Sequence, residues 1–414
     1  MKKFLVFICF MLFLHGMIAQ SLLDVYKKGV VKLTPDTEYA QGNNWEKVFV
    51  SYYDTLYNAP MGDRKSIVVT PKGSVVVSNR YRNFYSLFDE KGKFVKEFGI
   101  KDKSGKQIKE PEAIEGVINN TFYTGLDKMG KMYCFDFDGN YVNTLTLNYM
   151  AKEIIPLTNN KIALVGWVLW KEKTRDFVAI VDFETNEQKI IWDHFTPNND
   201  GSFIVSKNDK GEVSNVRTTQ PNSDVPFLSP KIAFVKDRLI VALPHNGEIM
   251  TYDMNGNLKS KDKLALEQKY LSVAEQKEMH RKSIEKFDAE DRKRMMSHGI
   301  SEKIIDEWIA EMKSNTNKIS APKPLPMFSN IIKDSDGNLL FFEMPEEEGA
   351  NKFNVWVYEN GGKFVCQSSF VCDDYDLVIS PSKMVFHNGY IYAIQTLKNA
   401  KGNPLRLVRF KVGN

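Results

Sequence analysis

The stretch FDEKGKFVKEFG, Phe88 to Gly99, sets Asp89 three residues ahead of Gly92, between two short apolar runs. The same order returns as FDFDGNYVNTLTL from Phe135, as YDMNGNLKS from Tyr252 and as YENGGKFVCQSS from Tyr358. A degenerate copy, FVAIVDFETNEQKIIW from Phe177 to Trp192, carries Asn186 in place of the glycine. Glycine or asparagine accepts the positive backbone angle of a tight hairpin, and aspartate bonds its own backbone, so each copy is expected to be a strand, a turn and a strand.

A second turn precedes each motif. It is found in IVVTPKGSVVVS at Ile67, EGVINNTFYTG at Glu115, IIPLTNNKIALVG at Ile154, IAFVKDRLIVAL at Ile232, IIKDSDGNLLFF at Ile331 and MVFHNGYIYAI at Met384. Pairing the upstream and downstream hairpins yields units of four antiparallel strands. At 414 residues the chain exceeds what one hydrophobic core usually serves, and repeated modules solve that problem. The reading is all-β: a six-bladed β-propeller over 46–414. Its last unit ends on the single strand LRLVRFKVGN, Leu405 to Asn414, and an N-terminal strand, EKVFVSYYD at Glu46–Asp54, is expected to complete it and remove an open edge. Residues 20–45 are then an N-terminal extension.

Two insertions are expected. Over 193–229 lies a long connection with an added hairpin at Ser202–Arg217. Over 262–317 the strand pattern gives way to helix formers, with no proline between Pro244 and Pro322. There SVAE at Ser272 fits a capping box, and Ser301 starts a helix stapled by Ile300 and Ile305. The apolar face of Ile304, Ile305, Trp308, Ile309 and Met312 is expected to dock on the propeller rim.

The formal charge of +4 is small for this length, so charge implies neither nucleic-acid binding nor membrane adhesion. The leader MKKFLVFICFMLFLHGMIAQ puts two lysines before an apolar run too short to span a bilayer, which predicts a signal peptide over 1–19. Cleavage is expected near Ala19. Cys9 lies inside the apolar run, where it offers no lipidation site, so an exported protein without a lipid anchor or stable membrane insertion is expected. Cys134, Cys366 and Cys372 remain, an odd count that predicts free buried thiols, since on one strand the last two would be roughly 20 Å apart.

In a four-stranded meander, the first-to-second and third-to-fourth turns share one end, and the second-to-third loops share the other with the connections between units. The repeated turns belong to the first end and the length variation to the second, where binding is expected. Candidates there are Arg80, Tyr81 and Arg82, then Trp167, Trp170 and Arg175, then His245, and finally Asp373 and Tyr375. Arginines beside aromatics suit carboxylates, sugars and peptide faces. The histidines at 194, 245, 280, 298 and 387 lack metal-ligand spacing, no nucleophile motif is present, and neither a metal nor a cofactor is implied. DSDGN at Asp334 and DFDGN at Asp136 contain pieces of calcium loops, yet they fall where a hairpin turn is needed.

These units, the aromatic-acidic-x-x-glycine turn and the exported terminus resemble the six-bladed NHL-like and TolB-like β-propellers exported by Bacteroidetes, over Glu46 to Asn414. The resemblance implies the fold and leaves activity open. A non-enzymatic module that binds a protein, peptide or glycan is the expectation. The alternative is a metal-dependent hydrolase or lyase, lactonase-like, at the axial mouth of the same face.

Overall fold

A computed structural model of the chain describes residues 21–49, 53–54, 59–60, 66–79, 84–109, 114–118, 121–127, 130–147, 149–158, 160–170, 173–197, 203–207, 213–218, 229–297, 299–344, 351–360 and 362–412. The leader, Arg80, Tyr81 and Arg82 lie outside the described residues. The chain divides into two compact units, one of Met1–Thr124, Tyr133–Asn143 and Asn330–Asn414 and one of Gly125–Met132 and Thr144–Ser329.

Four antiparallel strands in chain order recur, the construction of a propeller blade. In the first unit, meander A runs through Ile67–Val69, Val75–Asn79, Phe84–Phe88 and Phe94–Phe98. Meander B, through which the division passes, uses Ile114–Ile118, Thr121–Thr124, Lys131–Phe135 and Tyr141–Thr146. Meander E has Asn330–Lys333, Leu339–Phe342, Lys352–Glu359 and Lys363–Val371, and meander F has Met384–His387, Tyr390–Leu397 and Leu405–Val412. The second unit contains meander C, of Met150–Pro156, Lys161–Trp170, Lys173–Asp182 and Gln188–Pro197, and meander D, of Lys231–Val235, Arg238–Ala242, Glu248–Asp253 and Leu258–Lys263.

The repeated motif is a side-chain-capped turn. Asp89 Oδ1 accepts the N–H groups of Lys91 and Lys93 at 2.9 and 2.8 Å. Asp136 repeats this with Asp138 and Asn140 and Asp253 with Asn255 and Asn257; in meander E the upstream turn does so, Asp334 with Asp336 and Asn338, while in the Tyr358 copy Asn360, not Gly362, takes the positive φ. The glycine of each aspartate-capped turn has a positive φ, from 71° at Gly256 to 86° at Gly337, and Asn186 takes 56° in the degenerate copy. These acids therefore serve the backbone, and the calcium-loop fragments are turns.

The strand that completes meander F differs from the expected one. Val31–Pro35 pairs antiparallel with Leu405–Val412, matching Leu33 to Val412 and Pro35 to Phe410, and its first residues pair in parallel with Lys363–Val371. Meanders E and F thereby become one continuous sheet. Val31 and Leu33 point into the core while Lys32 points out, a period of two too short to stand out from sequence. Trp45–Val48, overlapping the start of the strand expected at Glu46–Asp54, is instead a helical turn because the Asn44 side chain accepts the N–H of Lys47 and caps it, while Tyr53–Asp54 pairs with Ala59–Pro60. The N-terminal segment is pinned twice more. The hydroxyl of buried Tyr26 donates to Asp334 Oδ2 at 3.0 Å, and Arg409 bonds Asp36 at 3.0 and 2.6 Å while stacking on Tyr39 and Tyr390.

In the second unit, Phe203–Lys207 and Val213–Thr218 form a separate two-stranded sheet, as expected for an added hairpin. Strand pattern continues to Lys263, and helices then occupy Val273–Lys286, Arg292–Ser297 and Glu302–Asn317. The Ser272–Glu275 capping box and the Ser301 cap are both present. The helical apolar face does not require the rim: Ile305 and Ile309 bury against Ile284, with Phe287, Met295, Ile300 and Met312 around them. Trp308 meets Phe287 edge-on at 4.6 Å. Amphipathic helices that cover one another satisfy the hydrophobic demand locally. Among the described residues no helix is long and apolar enough to cross a membrane.

Candidate functional site

Meander C supplies the densest chemistry in the second unit. Its three outer strands are ten residues long and continue past the strand Met150–Pro156 on which they begin. At the end opposite the capped turns, Met150, Trp167, Asp176 and His194 share one register row, while Ala151, Gly166, Phe177 and Asp193 form the next. Successive rows point to opposite faces. Arg175 therefore lies on the face away from Trp167 and Asp176.

A bulge changes this alternation at the inner strand, where the register shifts between Ala151 and Glu153. Bulges redirect side chains, and here two consecutive charged residues serve one face. Lys152 Nζ donates to Asp176 Oδ1 at 2.7 Å and to Ser229 Oγ at 2.6 Å, while Ser229 Oγ lies 3.4 Å from the same carboxylate. Asp176 is 3% exposed, so the lysine supplies the charge that makes its burial tolerable. Glu153 shares its row with Val165 and Val178, which pack against Ile232, Leu239 and Val241 of meander D. Burial pushes the Glu153 carboxyl up to about 7, against the opposing pull of Lys231 and a hydrogen bond from the Ile232 N–H. This carboxyl can hold or release a proton near neutral pH.

Two histidines are near the same end. His194 stacks on Trp192 with ring centroids 6.3 Å apart. His245, in the loop that closes with the Gly247 N–H on the Leu243 carbonyl, has its basicity lowered by burial and by His194, with Glu248 acting in the opposite sense.

The other sequence candidates separate. Trp167 is half-buried on the face of Asp176. Trp170 pairs with Lys173 at the end of the strand, and its side chain lies outside the described residues. Arg175 bonds Asp193 Oδ2 through Nε and Nη2 at 3.0 and 2.6 Å, with its guanidinium 5.4 Å from the Phe195 ring, so much of its bonding capacity is used internally. In the first unit, Asp373 forms an exposed ion pair with Lys32 at 2.8 Å, and that lysine holds its carboxyl below the usual range. Tyr375 is buried, with its ring edge-on to Phe410 at 5.6 Å. Cys134, Cys366 and Cys372 are free, and burial raises all three thiols.

Sequence reasoning missed Lys152, Glu153, Asp176, Ser229 and Lys231. The available signal was the adjacent pair Lys152–Glu153 inside the otherwise weakly polar MAKEIIP, Met150 to Pro156, where regular alternation would separate two charges onto opposite faces.

No family model matches the chain, and no curated protein matches it by sequence. Solved structures with a similar chain path include a member of the DUF4221 family from Bacteroides vulgatus, at 11% identity and a TM-score of 0.48, covering 93% of this chain and 99% of that one. A putative exported protein from Bacteroides fragilis matches at 9% identity and a TM-score of 0.44, covering 92% and 94%. Virginiamycin B lyase from Staphylococcus aureus matches at 11% identity and a TM-score of 0.35, covering 84% and 94%. At such scores the account of the fold rests on this chain's own sheets.

Proposed function

We propose that this chain is an exported six-bladed β-propeller, closed through its N-terminal strand, that acts as a binding module for a protein, peptide or glycan. The binding end of each meander is the one that carries its second-to-third loop. The observation that carries this reading is the unequal treatment of the two ends. At one end the tight turns are aspartate-capped in meanders A, B, D and E, and although the same cap also closes the Asp127 loop of meander B and the Asp102 turn after meander A, the added length falls at the other end. The other end carries the elongated strands of meander C, the bulge at Lys152 and the helices between meanders D and E. A scaffold that keeps one end uniform and elaborates the other concentrates recognition on the elaborated end. Arg80, Tyr81, Arg82, Trp167, Trp170, His245 and Asp373 remain candidates there.

The test compares two variants. One carries Arg80→Glu, Arg82→Glu and Trp167→Ala at the loop end, the other Lys72→Glu and Lys91→Glu at the turn end. Each is immobilised and exposed to periplasmic extract, with folding checked by thermal melting. Loss of capture in the loop-end variant alone is expected. Equal capture by both, or loss confined to the turn-end variant, removes this placement.

A further inference from the structure

We propose that one face of meander E, where Phe364 and Trp356 lie beside Gln367 and Asn354, binds a neutral sugar chain. This rests on the reading of the chain as a binding module and narrows its ligand to a glycan, but it does not depend on which end of the meanders binds. The register defines the face. Leu339, Tyr358 and Phe364 form one row, and Phe341, Trp356 and Gln367 form the next row on the same side. A bulge between Val357 and Tyr358 makes this possible, because it brings Phe364 and Gln367, three residues apart, to one side. Asn354 and Ser369 pair in the following row of that side. The opposite side of the same strands is core, with Leu340, Phe342, Val355, Val357 and Phe370.

Burial falls across the face from the inner strands outward. Leu339 and Phe341 are fully buried, Trp356 and Asn354 are half-buried, Gln367 is exposed and Phe364 is 40% exposed. The face is therefore open where its rings and amides stand. Phe364 lies 5.3 Å from Trp356 and 5.6 Å from Tyr358, centroid to centroid. Glu343, itself buried, accepts the indole N–H of Trp356 at 2.8 Å and fixes that ring. With its one polar group spent, the indole offers apolar surface. The Gln367 amide nitrogen lies 3.5 Å from the same carboxylate, and Asn354 accepts the Ser369 hydroxyl at 3.1 Å. A side-chain amide has two donor protons and an acceptor oxygen, so among the described residues both amides keep bonding capacity. A pyranose presents apolar C–H groups, which the negative face of an aromatic ring attracts, inside a rim of hydroxyls that amides can bond. Phe364, Trp356, Gln367 and Asn354 are all uncharged, which favours a neutral chain over a charged one.

The probes are cellohexaose and maltohexaose, titrated against the full chain and observed by saturation-transfer NMR. Saturable binding of at least one is expected, equal at low and high salt because no charged group makes the contact. Phe364→Ala should weaken it roughly tenfold through lost apolar contact, and Gln367→Ala about fivefold through one lost hydrogen bond. Both positions are exposed, so melting temperatures should not change. Val142→Ala, at an exposed apolar position of meander B, should leave binding intact. No saturable binding of either hexasaccharide, binding that both variants retain, or binding that salt abolishes overturns the proposal. Capture of a protein that Phe364→Ala abolishes, with neither sugar bound, overturns the glycan in favour of a protein partner. Sugar binding lost in the Arg80→Glu, Arg82→Glu, Trp167→Ala variant but kept in Phe364→Ala overturns this surface and leaves the binding-module reading standing. Sugar binding weakened by Phe364→Ala, in a chain whose capture ignores both end variants, upholds this surface and removes only the placement at the loop end.

Discussion

Asp253, at the end of its strand, and Glu153, in the middle of its own, belong to the same compact unit, and the molecule treats them oppositely. The N–H groups of Asn257 and Asn255 and the Asn257 side chain bond Asp253, with Lys259 beside it, and hold its carboxyl well below the usual range. Glu153 receives one backbone N–H and is pushed up to about 7 by burial. One carboxylate is spent on shaping a turn. The other keeps uncommitted chemistry at the end where the meander departs from its regular pattern. Repetition thus marks an acid spent on a turn, and the break in alternation marks an acid held in a desolvated position.

Asp334 tests the first half of that contrast most severely. It makes the same turn, yet it is 2% exposed, burial raises its carboxyl, and Tyr26 donates to it. Asp334→Ala strands the Tyr26 hydroxyl and two turn N–H groups, so a loss of about 3 kcal/mol is expected by urea unfolding. A loss near zero would show that the turn aspartates are dispensable. Gly139→Ala comes next: φ is 80° and an added Cβ would run into the carbonyl of Gly99, for a cost of about 2 kcal/mol in the same measurement.

Glu153 sharpens the second half. Its folded-state pKa lies above the unfolded value, so the folded state binds the extra proton and ionisation costs stability. Stability on this account is fullest below about pH 4.5 and declines as pH rises through about 7. Denaturation at pH 5 and pH 8 should show the difference, and Glu153→Gln should remove about 1–3 kcal/mol of it. The smallest effect is expected at Arg175. Its pair with Asp193 is partly solvated, and Asp193→Asn should cost less than about 1 kcal/mol of stability in unfolding measurements.

Much of the fold was legible. The spacing of aspartate and glycine gave the turns, and the alternation between turns gave the meanders, because both signals are local. The Ser272 and Ser301 caps were legible for the same reason. The candidate site was mostly hidden: Lys152 is joined to Asp176 across 24 positions and to Ser229 across 77. Those separations leave no mark on a linear pattern, and the bulge that aligns Lys152 with Glu153 has no residue signature of its own. Arg175 and Trp167 were read as neighbours in one loop, whereas the ladder register sends them to opposite faces.

By itself, the sequence determined an all-β chain of four-stranded units, since hairpin chemistry is written within a few residues. Only tertiary structure decided that Val31–Pro35 completes the last meander, because a strand of that length is chosen by the edge it meets. Tertiary structure also decided that the helices bury their apolar faces against one another, and that the Glu153 carboxyl is pushed up to about 7, because desolvation depends on what packs around a group and not on its neighbours in the chain.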